Sequence, residues 1–344
     1  AGSVKDQGIW GTCWAHSSAS SAESSIMDAV PDINLSEMHT AYMPYLGEDQ
    51  IDSGETEIDD ILDYGGSSYV VANLWSQWYG PVFDKRMPYV DFEILRDEEK
   101  VRYLQSQSDF HLENAYLFEY DDTRSNFDEL NETLKQFIYN GNAVDVSFIS
   151  DSAYYDSVHC SYYTDRKRRF ADHAVTIVGW DDNFSARNFN LKAPGDGAWL
   201  VKNSWGSDYA DAGYMWISYY NNSLCNFAVY ELNDKTEHMY NLHHDTFVPS
   251  QGLSAYDVID EIRPSYMANI FEVETDMQLE AVSMYVMNPD TEYEITVYSD
   301  LTDPSDPASG KASAVTKGKS SLTGYITVEL DENVAVKKGS RVGI

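Results

Sequence analysis

A chain of 344 residues with 43% hydrophobic and 14% aromatic side chains can fill substantial cores, and its length favours two domains over one. Its 57 acidic against 23 basic side chains give a formal net charge of −34, spread along the chain, which makes nucleic acid and anionic membrane poor partners by like-charge repulsion. No apolar run approaches the ~18 residues that a membrane helix needs, so no span is expected. The chain opens at Ala1 without an initiator Met or a signal segment, which reads as a processed or trimmed product. At the other end "KKGSRVGI" reads as a strand cut short as it starts.

From the beginning, "VKDQGIWGTCWAHSSAS" (4–20) sets one of only three cysteines between a Gly-Thr turn and a Gly- and Pro-free run rich in Ala and Ser. A helix starting near Cys13 is expected. A thiol in the first helical turn faces the positive end of the macrodipole, so a lowered pKa is expected too. Taken alone, Cys13 is as well explained as a small buried residue. The partners a thiolate nucleophile needs lie further along. "DHAVTIVGWDD" (172–182) puts His173 at the head of an apolar, strand-like run. "GAWLVKNSWGSDYADAGYMWISYY" (197–220) supplies Asn203, whose side-chain oxygen can accept from one ring nitrogen and fix the tautomer. Gln7 can aim its amide at a developing oxyanion, with the Cys13 backbone N–H as second donor.

Beyond about residue 235 the texture changes. "NDKTEHMYNLHHDTFVPSQG" (233–252) leads into alternating strands: "LEAVSMYVM" sets Val282, Met284 and Val286 on one face, and "EYEITVYSD" does the same with Tyr293, Ile295 and Val297. With "GYITVELD" (324–331) these predict an antiparallel sandwich of roughly one hundred residues. No internal repeat is visible.

The motifs of the first part resemble those of papain-like cysteine peptidases. "DQGIWGTCWAHS" is similar to the family's Gln-Gly-x-x-Gly-x-Cys-Trp signature, "NLSE" (34–37) to its Leu-Ser-Glu helix start, Gly65-Gly66 to its substrate-strand glycines, and "KNSWG" (202–206) to its Asn-Ser-Trp-Gly. The resemblance implies an α+β fold: a two-lobed peptidase, one lobe helical and one β-barrel-like, over 1–236, followed by the antiparallel β-sandwich over 237–344. It implies Cys13 as nucleophile, His173 as base and acid, Asn203 as orienter and Gln7 as oxyanion donor. Trp205 would shield the His173–Asn203 hydrogen bond, Gly66 would pair its backbone with an extended substrate, and Tyr209 would stand as an aromatic wall on the leaving-group side.

Departures from the family pattern are equally specific. Trp10 occupies the place of a family cysteine, and "LSEMHTAYM" lacks its partner, so that disulfide is absent. His173 and Asn203 lie 160 and 190 residues beyond Cys13, more than the ~130–150 usual for papain and cathepsin types. Insertions such as "EEKVRYLQSQSDFHLENAYLFEY" and "NFSARNFNLKAPGDG" account for the excess and read as surface loops. His16, where the family usually has Phe, reads as a core histidine bonded to backbone. The pair His243-His244 has no acid or Cys neighbours at ligand spacing, so zinc is not expected. Cys160 and Cys225 fall at places resembling a second family disulfide, which would suit an exported protein.

Ser67, Ser68, Ser147, Ala171 and Ala174 stand where the family walls the pocket for the residue two before the scissile bond, and all five are small, implying a roomy pocket. The acidic surface would steer basic substrates from a distance. The second domain resembles the lectin-like module that follows the peptidase in some bacterial cell-surface cysteine proteases; a structural spacer and a glycan- or cell-wall-binding module are equally open. Asp300, Asp303 and Asp306 are calcium candidates or solvated turn residues. The expectation is a secreted or cell-surface bacterial endopeptidase acting on protein or peptide substrates through an acyl-enzyme, with no cofactor required and a propeptide in its precursor. A transpeptidase or amidase using the same triad, and a catalytically silent adhesin, remain as alternatives.

Overall fold

A computed structural model describes residues 2–46, 58–167, 171–234, 236–244 and 266–344. Residues 235 and 245–252 of the expected linker lie outside that set. The chain divides into two units, Ala1–Met239 and Tyr240–Ile344. The boundary expected after 236 falls just ahead of the observed one.

In the first unit, helix α1 (Cys13–Ile26) begins at the residue the sequence indicates, and every residue from Trp14 to Glu23 is buried. A helix buried all round needs small side chains where it is crossed and partners for its polar ones. Its serines supply both: Ser21 Oγ donates to the Ala143 carbonyl at 2.7 Å, and Ser17 and Ser18 reach the Asp145 carboxyl at 2.6 and 2.8 Å. Helix α2 (Glu37–Tyr42) starts at the expected Leu-Ser-Glu, where Ser36 Oγ accepts from the His39 N–H at 3.0 Å as an N-cap.

The sheet of this unit uses β1 (Phe110–Phe118), β2 (Val144–Phe148), β3 (Tyr155–Asp156), β4 (Ser161–Tyr162), β5 (His173–Asp181), β6 (Ala198–Lys202), β7 (Tyr214–Ser218) and β8 (Cys225–Asp234). Their order is β1-β8-β2-β5-β6-β7-β4-β3, antiparallel except for β4 beside β7. The expected barrel-like lobe is thus a sheet that does not close, since among the described strands β1 and β3 do not pair with each other. One face carries a core of Val146, Phe148, Ile177, Trp199, Val201, Phe227 and Val229, covered by Leu130 and Leu134 of the helix Phe127–Tyr139. Losing a fully buried side chain of this size, Trp199 for instance, costs ~3–5 kcal/mol.

Two expected loops need correction. The stretch expected as a surface loop from Glu98 contains a helix, Glu98–Gln105, and all of β1, whose Phe110, Leu112, Ala115 and Leu117 are buried against β8. The segment 183–197 is irregular as expected, but it buries Ala186, Phe189 and Ala193 with Tyr163 and Ala198 in a small core of its own.

The second unit is all β, as the alternation indicates: β9 (Ile270–Glu272), β10 (Met277–Val286), β11 (Thr291–Ser299), β12 (Lys311–Ser320), β13 (Gly324–Val336) and β14 (Arg341–Gly343). Strands β12-β11-β14-β9 form one antiparallel sheet, and β10 pairs with β13. Leu279, Ile295, Val297, Ala314, Leu330, Val334 and Val342 from both layers make the core. A register shift between Leu279 and Ala281 hands the inward face of β10 to the even positions, which is why Val282, Met284 and Val286 share a side. Asp303 and Asp306 accept from the backbone N–H groups of Ser305 and Ala308 at 2.9 Å, as turn residues do. Among the described residues no group of three His, Cys, Asp or Glu side chains comes together that could hold a metal.

Candidate active site

Cys13 stands at the first position of α1, partly exposed, and the backbone N–H of Ala174, the residue after His173, favours its thiolate form. Register fixes that placement: α1 lies across β2, β5 and β8, and β5 begins at His173 opposite Phe148, with Ala174 opposite Ser147. His173 Nε2–H donates to Asn203 Oδ1 at 2.8 Å, and the same oxygen accepts the Ser204 N–H at 2.8 Å. Two donors on one atom identify it as the oxygen and fix which way the amide faces. The Trp205 ring stacks on the His173 imidazole, centroids 4.5 Å apart at 20°, and Tyr209 meets Trp205 edge-on at 4.7 Å. Tyr155 then stacks on Tyr209 at 5.8 Å, extending this aromatic wall by a residue the sequence did not flag.

Gln7 sits on the short N-terminal segment that pairs with the Asn203 loop: Gln7 N–H donates to the Ser204 carbonyl at 2.8 Å, and Gly206 N–H to the Lys5 carbonyl at 3.0 Å. Ser204 Oγ donates to Gln7 Oε1 at 2.6 Å, and Gln7 Nε2 donates to the Trp10 carbonyl at 2.8 Å. The amide is therefore held at both ends, with one N–H still to spare. Ser204 was missed as a functional residue, although it lies inside the "KNSWG" motif. Tyr89, which donates to the Gln7 carbonyl at 2.8 Å and lies 2.5 Å from Thr12 Oγ1, had no local signal at all.

Electrostatics depart from the expectation for the thiol. Burial pushes the Cys13 pKa up, and the N–H groups of Ala174, Trp14 and Cys13 itself only partly offset this. The helix-start effect is real but smaller than the cost of stripping water from a lone thiolate. Burial likewise pulls His173 down to about 4, against the raising effect of Asn203. Each group alone thus resists charge.

Gly65 and Gly66, the expected substrate-strand glycines, precede the helix Ser68–Ser76. A Cβ on Gly66 would fall 2.3 Å from the Trp14 ring, so only glycine lets the backbone pass there, and Tyr45 OH donates to the Gly65 carbonyl at 2.6 Å. Ser147 and Ala174 are register partners, Ser147 pairs with Cys225 on its other side, and the Ala171 N–H faces the Cys225 sulfur. Ser67 and Ser68 start a helix (Ser68–Ser76), tied to β8 by the Tyr230 hydroxyl donating to the Ser68 carbonyl at 3.1 Å.

The expected disulfide does not form: Cys160 and Cys225 are free thiols. Strand order is the reason. Cys160 precedes β4 and Cys225 opens β8, with β2, β5, β6 and β7 between them at ~4.8 Å per strand, far beyond the ~7 Å limit for bridged Cα atoms. His16 is buried, with Nδ1 3.0 Å from the Thr12 carbonyl oxygen, the backbone-bonded core position expected. His244 Nε2 donates to the Ile270 carbonyl at 2.7 Å and its ring stacks on Phe271.

A thiol-bearing helix laid across a sheet whose strand ends present an imidazole and its amide support is the layout of a cysteine peptidase. Family models match in two blocks, papain family cysteine protease over residues 1–233 and lectin-like domain over 253–344. The chain belongs to the papain family of cysteine proteases and carries a lectin-like domain behind the peptidase. Among solved structures it is similar to a clostridial cysteine protease, Cwp84, after propeptide cleavage, with a TM-score of 0.76 and 23% identity over 99% of this chain and 80% of that one. It is also similar to the cysteine protease and lectin-like domains of Cwp84, a surface layer associated protein of Clostridium difficile, with a TM-score of 0.71 and 24% identity over 100% of this chain and 72% of that one. At that identity the likeness establishes the fold. Digestive cysteine proteinase 3 of Homarus americanus is 24% identical over 65% of this chain and 60% of its own length, and cathepsin L of Sarcophaga peregrina is 23% identical over 65% and 58%. The chain thus spans less than two thirds of these curated relatives. No helix among the described residues is long and apolar enough to cross a membrane.

Proposed function

We propose that the protein is a cysteine endopeptidase in which the Cys13 sulfur attacks a peptide carbonyl carbon. Its proton passes to His173, the resulting oxyanion is received by Gln7 Nε2–H and the Cys13 N–H, and collapse expels the amine, protonated by His173. The same imidazole then takes a proton from water, which attacks the thioester and frees Cys13. Asn203 holds the imidazole and Trp205 keeps water off their hydrogen bond; no cofactor takes part in these steps. Gly65 and Gly66 receive the substrate backbone as an added strand, Ser67 and Ala174 border the pocket, and Tyr209 faces the leaving side. The observation that carries this reading is the 2.8 Å His173–Asn203 hydrogen bond, and the N–H of the next residue on the same strand supports it by favouring the Cys13 thiolate.

The lectin-like match and what is said of Cwp84 support a secreted or cell-surface location, a propeptide in the precursor, and either a glycan or cell-wall ligand or a spacer role for the second unit. The test is intact-mass spectrometry after a peptide-like epoxide, beside Cys13→Ala and a casein digest. Single labelling at Cys13, with casein cleavage that vanishes in the variant, is expected. A folded, reduced protein that takes no label overturns the nucleophile assignment.

A further inference from the structure

His16 lies one turn beyond Cys13 on α1, and its backbone bond uses only half of its ring. The Thr12 carbonyl can only accept, so Nδ1 carries the proton and Nε2 is a bare lone pair. Burial keeps the ring neutral, with its pKa drawn down to about 4. Nε2 has no hydrogen-bond partner, nor has Asn203 Nδ2, nor Ser20 Oγ one turn further along α1. All three residues line the same water-sized cavity, bordered by Lys5, Glu23, Glu37 and Lys202. With Oδ1 committed to His173 and Ser204, the Asn203 amide cannot flip to relieve its buried, unpartnered Nδ2. The chemistry is complementary: the amide offers protons, the imidazole accepts one, and the serine can do either. Buried polar atoms left unpaired cost ~1–3 kcal/mol each, and a cavity of this size with three polar partners suits a single water.

We propose that His16 is a positioning residue, which, through a buried water shared with Asn203 Nδ2 and Ser20 Oγ, locks the Asn203 amide in the orientation that presents Oδ1 to His173. The water accepts from Asn203 Nδ2–H and donates to His16 Nε2 and Ser20 Oγ. The nucleophile's own helix thereby supports the base's orienter from behind. This role rests on the peptidase reading of Cys13, His173 and Asn203, and its test is chosen to stand apart from peptide cleavage.

The primary readout is the rate of Cys13 alkylation by iodoacetamide, read by intact mass, with KM and kcat for a peptide substrate as the second. Replacing His16 by Phe removes the acceptor and fills the space; alkylation and kcat are expected to fall about tenfold with KM within about twofold, equivalent to loss of one net hydrogen bond. His16→Gln, which offers an oxygen near the Nε2 position, is expected to recover most of that loss. A folded His16→Phe protein that alkylates at the parent rate overturns the proposal. Should that variant fail to fold, a crystal structure of the parent decides: a water within hydrogen-bond distance of all three atoms supports the role, and a dry cavity or a direct side-chain contact in its place overturns it. If the parent cleaves no peptide while alkylation keeps its dependence on His16, the peptidase reading falls and the positioning role stands.

Discussion

Ser204 and Gln7, 197 residues apart in sequence, are joined twice: hydroxyl to amide oxygen at 2.6 Å, and amide N–H to carbonyl at 2.8 Å. The Trp10 carbonyl, which can only accept, fixes which end of the Gln7 amide is the N–H end, and the Ser204 hydroxyl holds the other. With Ser204→Ala the backbone bond and the Trp10 bond survive, but the amide oxygen loses its donor and the amide is held at one end only. A drop of about tenfold in kcat with little change in KM is expected, against the ~10²-fold loss expected for Gln7→Ala, since an oxyanion donor acts in the transition state. Steady-state kinetics on both variants check the ranking.

Trp205 is the aromatic lid on the His173–Asn203 bond. Burial is the first cause holding the His173 pKa near 4. Trp205→Ala lets water reach the ring, so that pKa is expected to rise toward the usual ~6.5 of a solvated histidine. A pH titration of the His173 ring by NMR in a Cys13→Ala background shows it; an unmoved value would mean that Trp205 does not set the ring's solvation.

Asp145 offers a pH dependence of stability with a definite sign. Its carboxyl is wholly buried and its pKa is raised to about 7, with desolvation outweighing the hydroxyls of Ser17, Ser18 and Tyr230. Geometry agrees: Ser17 Oγ lies 2.6 Å from Asp145 Oδ1 and 2.7 Å from the Val175 carbonyl oxygen. One hydroxyl proton is divided between these two acceptors, so Ser17 stabilises the carboxylate only in part. A carboxyl with a raised folded-state pKa stabilises most fully below its unfolded value of ~3.9, and that contribution is lost as pH rises through about 7. Relative to Asp145→Asn, the parent is expected to lose about 2–3 kcal/mol between pH 5 and pH 8. Urea unfolding of both proteins at the two pH values measures it.

Three free thiols are expected in the folded chain. Alkylation under denaturing conditions without reductant, followed by intact mass, should show three labels. One label would restore the Cys160–Cys225 bridge and require a different strand order from the one described.

The sequence exposed the parts of the site whose signals are local. A Gly- and Pro-free run after Gly11 marks the start of α1, the apolar run after His173 marks β5, and Ser36 marks α2. What stayed hidden depends on tertiary placement. β1 read as a loop because the register shift between Leu112 and Asn114 breaks its alternation just where Glu113 and Asn114 add polarity. The thiol's pKa was misjudged because a helix end is visible in sequence and the burial of its first residue is not. The disulfide failed because motif positions say nothing of how many strands intervene. His16 was read as a core residue from its helix position, but the burial of its second ring nitrogen without a partner depends on what packs over the helix.

The pairing of residues 5–7 with 204–206 also makes one mechanical piece of two distant stretches of chain. Because Gln7 rides on one edge of that seam and Asn203 adjoins the other, thermal slippage there would displace the anion receiver and the imidazole's brace in concert. Hydrogen exchange should therefore release the Gln7 and Gly206 amides together, in a single opening event that silences the centre before either lobe unfolds.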